Sequence, residues 1–293
     1  LENRLFKAWI SWLACIFKDF QESWNMKRIG IIGVPLEEAM TTAGDHIAID
    51  IQGMTDQVRH EIIEGAKKMG IRIEDLGETD VGAVEAPQVF IDRRADILPE
   101  VASAFRKEIY DRTICSIKPG RIRVLALAKE FDLLIATGPS HAGAVVLYES
   151  GDRVARLDYH TDYNDMNPGF LDGNSYMDSV KAMLGESVFI TNYFVKWGTL
   201  AGKWSGGNMQ PNGMDYQRAN HFDIDVDCFN EILEIQTIYK HEFGPPKATP
   251  EMVIGMIREA RPKKLGIWEY RLYDDARRNG MDFIVNAIGA AVL

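Results

Sequence analysis

The stretch Ala155-Arg156-Leu157-Asp158-Tyr159-His160-Thr161-Asp162 decides how the rest of the chain is read. Side chains alternate faces along a strand, so residues two apart point the same way. Asp158, His160 and Asp162 therefore share one face beside apolar neighbours. Charges buried there without a partner would cost too much, so something positive must sit among them. Further on, His221-Phe222-Asp223-Ile224-Asp225 repeats the spacing. Two such strands side by side would gather carboxylates and an imidazole, enough to hold a pair of divalent cations.

Around these segments the pattern alternates strand and helix. Ile29–Val34, Ile71–Leu76, Leu133–Thr137, Val154–Asp158, Val188–Phe194, His221–Val226 and Leu265–Glu269 read as strands. Thr55–Met69, Ile97–Tyr110, the stretch ending at Val124–Phe131, Ser175–Leu184, Pro250–Ala260 and Asp274–Ala291 read as helices, with an extended piece near Gln88–Ile91. Alternation of this kind predicts one three-layer α/β/α domain over residues 26–293, with a mainly parallel central sheet. Gly198–Tyr216, rich in Gly, Asn and Trp, reads as a long loop of the kind that often carries function. Residues 1–25 differ. Leu5, Trp9, Leu13, Ile16 and Phe20 recur at helical spacing, and the segment is expected to be an extension outside the fold.

Composition narrows the function. The chain of 293 residues carries a formal net charge of -10, which argues against a nucleic-acid partner and favours a cationic ligand. The three cysteines, Cys15, Cys115 and Cys228, are too far apart for a zinc site or a disulfide framework, so a reducing, cytoplasmic setting is expected. No run is long enough to span a membrane.

Open α/β sheets bind ligands at the carboxyl ends of their strands. His141 follows Leu133–Thr137 by the turn Gly138-Pro139-Ser140. Asp158, His160 and Asp162 run off the next strand, Asp223 and Asp225 close another, and Glu269 closes the last. Carboxylates and imidazoles without thiolate suit Mn²⁺, and less well Zn²⁺, Fe²⁺ or Co²⁺. Asp227 continues the alternation; it either supports the ligands or caps a helix at Cys228–Leu233. His221 reads as a core histidine, His60 and His241 as exposed, and His46 as a loop residue. Trp197, Trp204 and Tyr216 either wall a cation pocket or pack in the core.

Asp158-Tyr159-His160-Thr161-Asp162-Tyr163-Asn164 resembles the Asp-Ala-His-Thr-Asp-x-Asn motif of the ureohydrolases, the arginase, agmatinase and formiminoglutamase family. Phe222-Asp223-Ile224-Asp225 resembles that family's Phe-Asp-Val-Asp. Gly138-Pro139-Ser140-His141 stands where the family has Gly-Gly-Asp-His, and Trp268-Glu269-Tyr270 where it has a late glutamate. The motifs keep the family's order over residues 28–293.

The resemblance implies an arginase-like fold and two Mn²⁺ per chain. One ion would be held by His141, Asp158, Asp162 and Asp223, the other by Asp158, His160, Asp223 and Asp225. A hydroxide between them would attack a guanidinium or formimino carbon, releasing urea or formamide. Asp162 would pass the proton on, Glu269 would pair with the cationic guanidino substrate, and Asn164 would contact the rest of it. A homo-trimer or homo-hexamer is implied as well.

Ser140 replaces the family's aspartate, and Phe170–Tyr176 holds no histidine where arginases and agmatinases place a proton shuttle. Those departures motivate a rival reading, a non-catalytic metal-binding relative. A mononuclear zinc deacetylase on a related fold is the other rival. It fits less well, because one ion would not need both His141 and Asp225.

Overall fold

The structure, a computed structural model, describes residues 27–36, 51–81, 115, 117–160, 177, 180, 183–194, 215–229, 248–270, 272, 275 and 277–293. The expected extension at residues 1–25, the segments Gln88–Ile91 and Ile97–Tyr110, His46, His241, Trp197, Trp204, Asp162 and Asn164 lie outside them. So do most of Ser175–Leu184 and of the loop Gly198–Tyr216.

The described strands are β1 (Ile29–Gly33), β2 (Glu74–Glu78), β3 (Leu133–Gly138), β4 (Arg153–Leu157), β5 (Phe189–Tyr193), β6 (His221–Asp225) and β7 (Lys264–Trp268). They form one seven-stranded sheet in the order β2-β1-β3-β7-β6-β4-β5. Every pairing in it is parallel. Helices α1 (Ile51–Lys68), α2 (residues 117–130), α3 (Pro250–Ala260) and α4 (Asn279–Val292) accompany it.

The layers follow from alternation within the strands. Leu133 and Ile135 of β3 pack with Ile29, Ile31, Leu265 and residues of α1, α3 and α4. Leu134 and Ala136 face the other way, into a second core with Val124 of α2, Val145 and Trp268. Strands buried on both faces read as continuous apolar runs, which is why they are legible in the sequence.

Three starts differ from expectation by three residues or more, and the first helix begins at Ile51, four residues before Thr55. The second strand begins at Glu74, three residues after Ile71, because Ile71 and Ile73 are drawn into the core beneath α1 and α4. The last helix begins at Asn279 and not at Asp274. Asp275 stays outside it, where its carboxylate accepts hydrogen bonds from Met281 N at 2.9 Å and from the Tyr270 hydroxyl at 2.8 Å. Arg278, at φ 65°, makes the left-handed turn into the helix.

The amino ends of the central strands carry a buried polar lock. Lys264 Nζ donates to Asp152 Oδ2 at 2.6 Å and to the Leu147 carbonyl at 3.0 Å. Asn220 and the Glu149 amide also donate to Asp152, and His221 Nδ1 stands 3.7 Å away. Burial works to raise the Asp152 carboxyl, but His221 and Lys264 pull it down to about 2. A depressed carboxyl stabilises the fold fully above its ordinary 3.8, and that contribution fades as pH falls through about 2. The shift corresponds to about 2 kcal/mol. Asp152→Asn is therefore expected to lower the unfolding free energy by about that much at pH 7, since it removes the nearer of the two carboxylates beside Lys264. Urea denaturation at pH 7 and at pH 2 should show the deficit shrinking at the lower pH.

Candidate metal centre

At the opposite, carboxyl end, neighbouring strands β3, β7, β6 and β4 bring His141, Glu269, Asp225 and Asp158 to one place. The turn after β3 is forced close. A Cβ on Gly138 would lie 2.4 Å from the Val34 carbonyl oxygen, so only glycine fits there. Ser140 then caps the short 3-10 helix His141–Val146, its Oγ accepting from Ala142 N at 3.2 Å. That cap sets His141, fully buried, over the strand tips. The His141 ring stands between three carboxylates: Nδ1 lies 3.0 Å from Asp158 Oδ2 and 3.0 Å from Asp225 Oδ2, and Nε2 lies 3.3 Å from Asp223 Oδ1.

Among the described residues, two groups place donor atoms within 4.8 Å of one another: His141, Asp158 and Asp225, and Asp158, His160 and Asp227. They share Asp158. The first closes around Asp158 Oδ2. In the second, His160 Nδ1 lies 2.7 Å from Asp227 Oδ2 and 3.8 Å from Asp158 Oδ1. The shared carboxylate thus turns one oxygen to each group.

Among the described residues, the aspartates of the two donor groups lie one step further along the strand than the expected pair. Asp223 and Asp225 were the expected partners of Asp158, but Asp223 joins neither group. Sheet register gives the reason. Arg156 lies level with Asp223, and Leu157 with Ile224, so Asp158 comes level with Asp225. Asp223 is one step deeper, opposite Gly266. There its Oδ1 accepts from Trp268 Nε1 at 2.6 Å and its Oδ2 from the Tyr148 hydroxyl at 2.5 Å. Trp268 fits over the sheet because Gly266 and Gly143 leave room; a Cβ on either would meet its ring at 2.5 and 2.9 Å.

Asp227 takes the outer place. β6 ends at Asp225 and the chain turns into the 3-10 helix Val226–Phe229, so no longer helix starts here among the described residues. The Asp227 carboxylate accepts from Tyr159 N at 3.3 Å and faces His160. Residues 230–233 of the expected helix lie outside the described residues, and the Asp227 carboxylate itself is part of a donor group.

The sequence reading also passed over Arg156. Its side chain is fully buried and its NH2 donates to Asp158 Oδ2. NH1 donates to the His160 carbonyl at 3.1 Å and to Asn192 Oδ1 at 3.1 Å. The signal was present: Arg156 is a charged residue between apolar ones, two before Asp158 and on its face.

Charge state follows from these contacts. Burial works to raise the Asp158 carboxyl, yet Arg156 and His141 hold it well below the usual carboxylate range. Asp223 is likewise held low against its burial, chiefly by His141. Asp225 moves the other way. Burial, then the charges of Asp227, Glu269 and Asp158, push it well above its ordinary value. A crowded carboxylate that resists ionisation is what a site short of positive charge produces.

Glu269 closes the wall. It follows β7 directly, is half-buried, and takes φ 60°, a left-handed conformation that an L-residue adopts at a cost of about 1 kcal/mol. Its amide donates to the Gly138 carbonyl at 3.1 Å, tying it to the His141 turn. Strain of this kind persists only where the surroundings fix it, and it concentrates at functional sites.

No family model matches the sequence, and no curated protein does. Solved structures do match in shape. Proclavaminate amidino hydrolase from Streptomyces clavuligerus superposes with a TM-score of 0.57 at 12% identity, covering 91% of this chain and 90% of that one. Arginase from Bacillus caldovelox gives 0.56 at 15% identity, covering 91% and 98%. Agmatine ureohydrolase of Thermoplasma volcanium gives 0.57 at 15% identity, covering 91% and 89%. The chain has the ureohydrolase fold. At such low identity the ureohydrolase likeness is one of backbone path, and what the site does rests on its own residues.

Proposed function

We propose that the chain is a hydrolase of the ureohydrolase type, cleaving a non-peptide C–N bond in a guanidino or formimino compound with two divalent cations bound. The observation that carries this reading is the pair of interlocked donor groups sharing Asp158 at the strand tips. The donors are carboxylate oxygens and imidazole nitrogens with no thiolate, a set that suits Mn²⁺. His141, Asp158 and Asp225 would hold one ion, and Asp158, His160 and Asp227 the other. Asp162 and Asn164 keep the roles the motif implies, Asp162 completing the first set and moving a proton, Asn164 contacting substrate.

Paired ions held by these residues would supply one thing the chain lacks, a water acidic enough to attack near neutral pH. The remaining tasks fall to side chains. Glu269 pairs with the substrate's cation and orients its planar carbon toward the strand tips. A cavity of about 130 Å³ at the next residue, Tyr270, is lined also by Met54, Thr55, Gln57, Val58, Thr137, Gly138, Pro139 and Leu272. With no charged side chain among them, these residues suit an aliphatic carbon chain.

The similar structures carry the names amidino hydrolase, arginase, agmatinase and formimidoylglutamase, which supports the same bond class. The cysteine pattern and the acidic charge support a cytoplasmic protein with a cationic substrate, and the fold supports a homo-trimer or homo-hexamer. No helix of the described residues is long and apolar enough to cross a membrane.

The test is a panel of guanidino and formimino compounds, scored for urea, formamide or ammonia with Mn²⁺ present. Turnover of at least one, lost on chelation and restored by Mn²⁺, is the expected result. A metal-loaded protein that turned over none would favour the non-catalytic relative. Acetate release from acetylated amines would favour the single-metal deacetylase.

A further inference from the structure

We infer that Asp223 is a positioning residue of the metal centre: it holds the proton of His141 on Nε2 and so leaves Nδ1 bare for a cation. The inference rests on the proposed two-metal reading and deepens it. It gives a role to an aspartate that belongs to neither donor group.

Three observations carry it. The first is direction. The His141 ring is fully buried, and its two nitrogens face different depths of β6. Nδ1 stands 3.0 Å from Asp158 Oδ2 and 3.0 Å from Asp225 Oδ2, inside the first donor group. Nε2 stands 3.3 Å from Asp223 Oδ1, one step deeper on the same strand face. An imidazole that gives one lone pair to a cation carries its proton on the other nitrogen, and that proton needs an acceptor. Asp223 Oδ1 is placed to take it.

The second is fixity. Trp268 Nε1 donates to Asp223 Oδ1 at 2.6 Å, and an indole N–H is a donor and never an acceptor. The Tyr148 hydroxyl donates to Oδ2 at 2.5 Å. Burial and the Asp223 charge push that hydroxyl well above its ordinary range, so it keeps its proton and goes on donating. Trp268 closes β7 and Tyr148 follows the 3-10 helix after His141, so the clamp comes from elements other than β6. Donors on both oxygens pin the carboxylate with Oδ1 turned to the ring.

The third is the choice between ring flips. The Ser140 cap sets the backbone of His141, but an imidazole on a given backbone has two orientations half a turn apart. That half-turn would exchange Nδ1 with Cδ2 and Nε2 with Cε1, setting a carbon against Asp223. A pinned acceptor at Nε2 therefore selects the flip that presents Nδ1 to the first group. A charged acceptor also makes the ring a more basic ligand.

Nitrogen NMR of the full chain, labelled in histidine and loaded with Cd²⁺ as a diamagnetic probe, tests this beside calorimetric titration with Mn²⁺. The His141 signals should show the metal on Nδ1 and a slowly exchanging proton on Nε2. Asp223→Asn keeps an acceptor and loses its charge, so both ions should still bind and the Nε2 proton should move upfield. Asp223→Leu removes the acceptor, and Mn²⁺ affinity at the first group should fall by about tenfold to a hundredfold, the usual cost of losing such a partner. Asp152→Asn, destabilised at the far end of the sheet, should bind Mn²⁺ as the unmutated chain does.

Metal on Nε2, an Nε2 proton unmoved in Asp223→Asn, or an unchanged affinity in Asp223→Leu overturns the inference and leaves the two-metal reading standing. An equal loss of affinity in Asp152→Asn overturns it as well, since the effect would then be one of general loosening. No binding of Mn²⁺ or Cd²⁺ to the unmutated chain sinks the two-metal reading, and the inference with it. Should Asp223→Leu fail to fold by circular dichroism, the spectra of the unmutated chain and of Asp223→Asn still decide.

Discussion

Replacing Asp158 with Asn is expected to empty both ion sites and to lower turnover by about a thousandfold or more, the several kcal/mol that bound metal supplies to such reactions. Asp158 is the one residue common to both donor groups. Its carboxyl is held below the usual carboxylate range, against full burial, by Arg156 and His141. Asparagine keeps the shape but offers one oxygen where two are needed and carries no charge. Arg156 loses a charged partner too, and breaking a buried ion pair from one side costs up to about 3–5 kcal/mol. Metal content by mass spectrometry should fall from two ions per chain toward none. The denaturation midpoint of the metal-free variant should fall as well. A variant that kept both ions would show that Asp158 is only the partner of Arg156.

The second large effect separates Asp227 from Asp223. Asp227→Asn is expected to lose the ion beside His160 and to cut turnover by about a hundredfold or more, since a site that loses a charged ligand loses more than one that loses a supporting group. Asp223→Asn is expected to keep both ions. Its cost falls on stability, about 1–3 kcal/mol, because the buried donors Tyr148 and Trp268 would face a weaker acceptor. Metal content and urea denaturation of the two variants, measured side by side, check this. If Asp223→Asn lost metal and Asp227→Asn did not, the pairing read from the sequence motif would stand and the register argument would fall.

That contrast marks where sequence reading stopped. His221, Asp223, Asp225 and Asp227 all lie on one face by alternation, and a slip of one residue would have reversed every side chain. A slip of two reverses none. It changes only depth along the strand, and no property of the residues themselves reports depth. The motif likeness of Phe222-Asp223-Ile224-Asp225 therefore points to a pair one step deeper than Asp225 and Asp227, the aspartates of the two donor groups. His141 is free of that ambiguity because it follows its strand by the turn Gly138-Pro139-Ser140.

Arg156 was hidden for a related reason. It shares a face with Asp158, which alternation makes plain, but a charged residue one step in from a strand tip can reach out to solvent or fold over its neighbour. Full burial and the bonds to Asn192 and the His160 carbonyl settle which. The partner Asn192 belongs to β5, beside β4 in space and more than thirty residues away in the chain. The late start of the last helix has a similar origin, because Asp275 is claimed by Tyr270 and Met281.

Local order therefore belonged to the sequence alone. Apolar runs of strand length between helical periods dictate a parallel sheet covered on both faces, and parallel strands put the end of each on the same side. That is enough to say that acids and imidazoles at strand ends must meet. Which oxygen meets which nitrogen was decided by the tertiary structure, through the stagger of β4, β6 and β7 against one another. The physical reason is that strand periodicity fixes direction every second residue, whereas height in the sheet is set by hydrogen bonding between segments far apart in the chain.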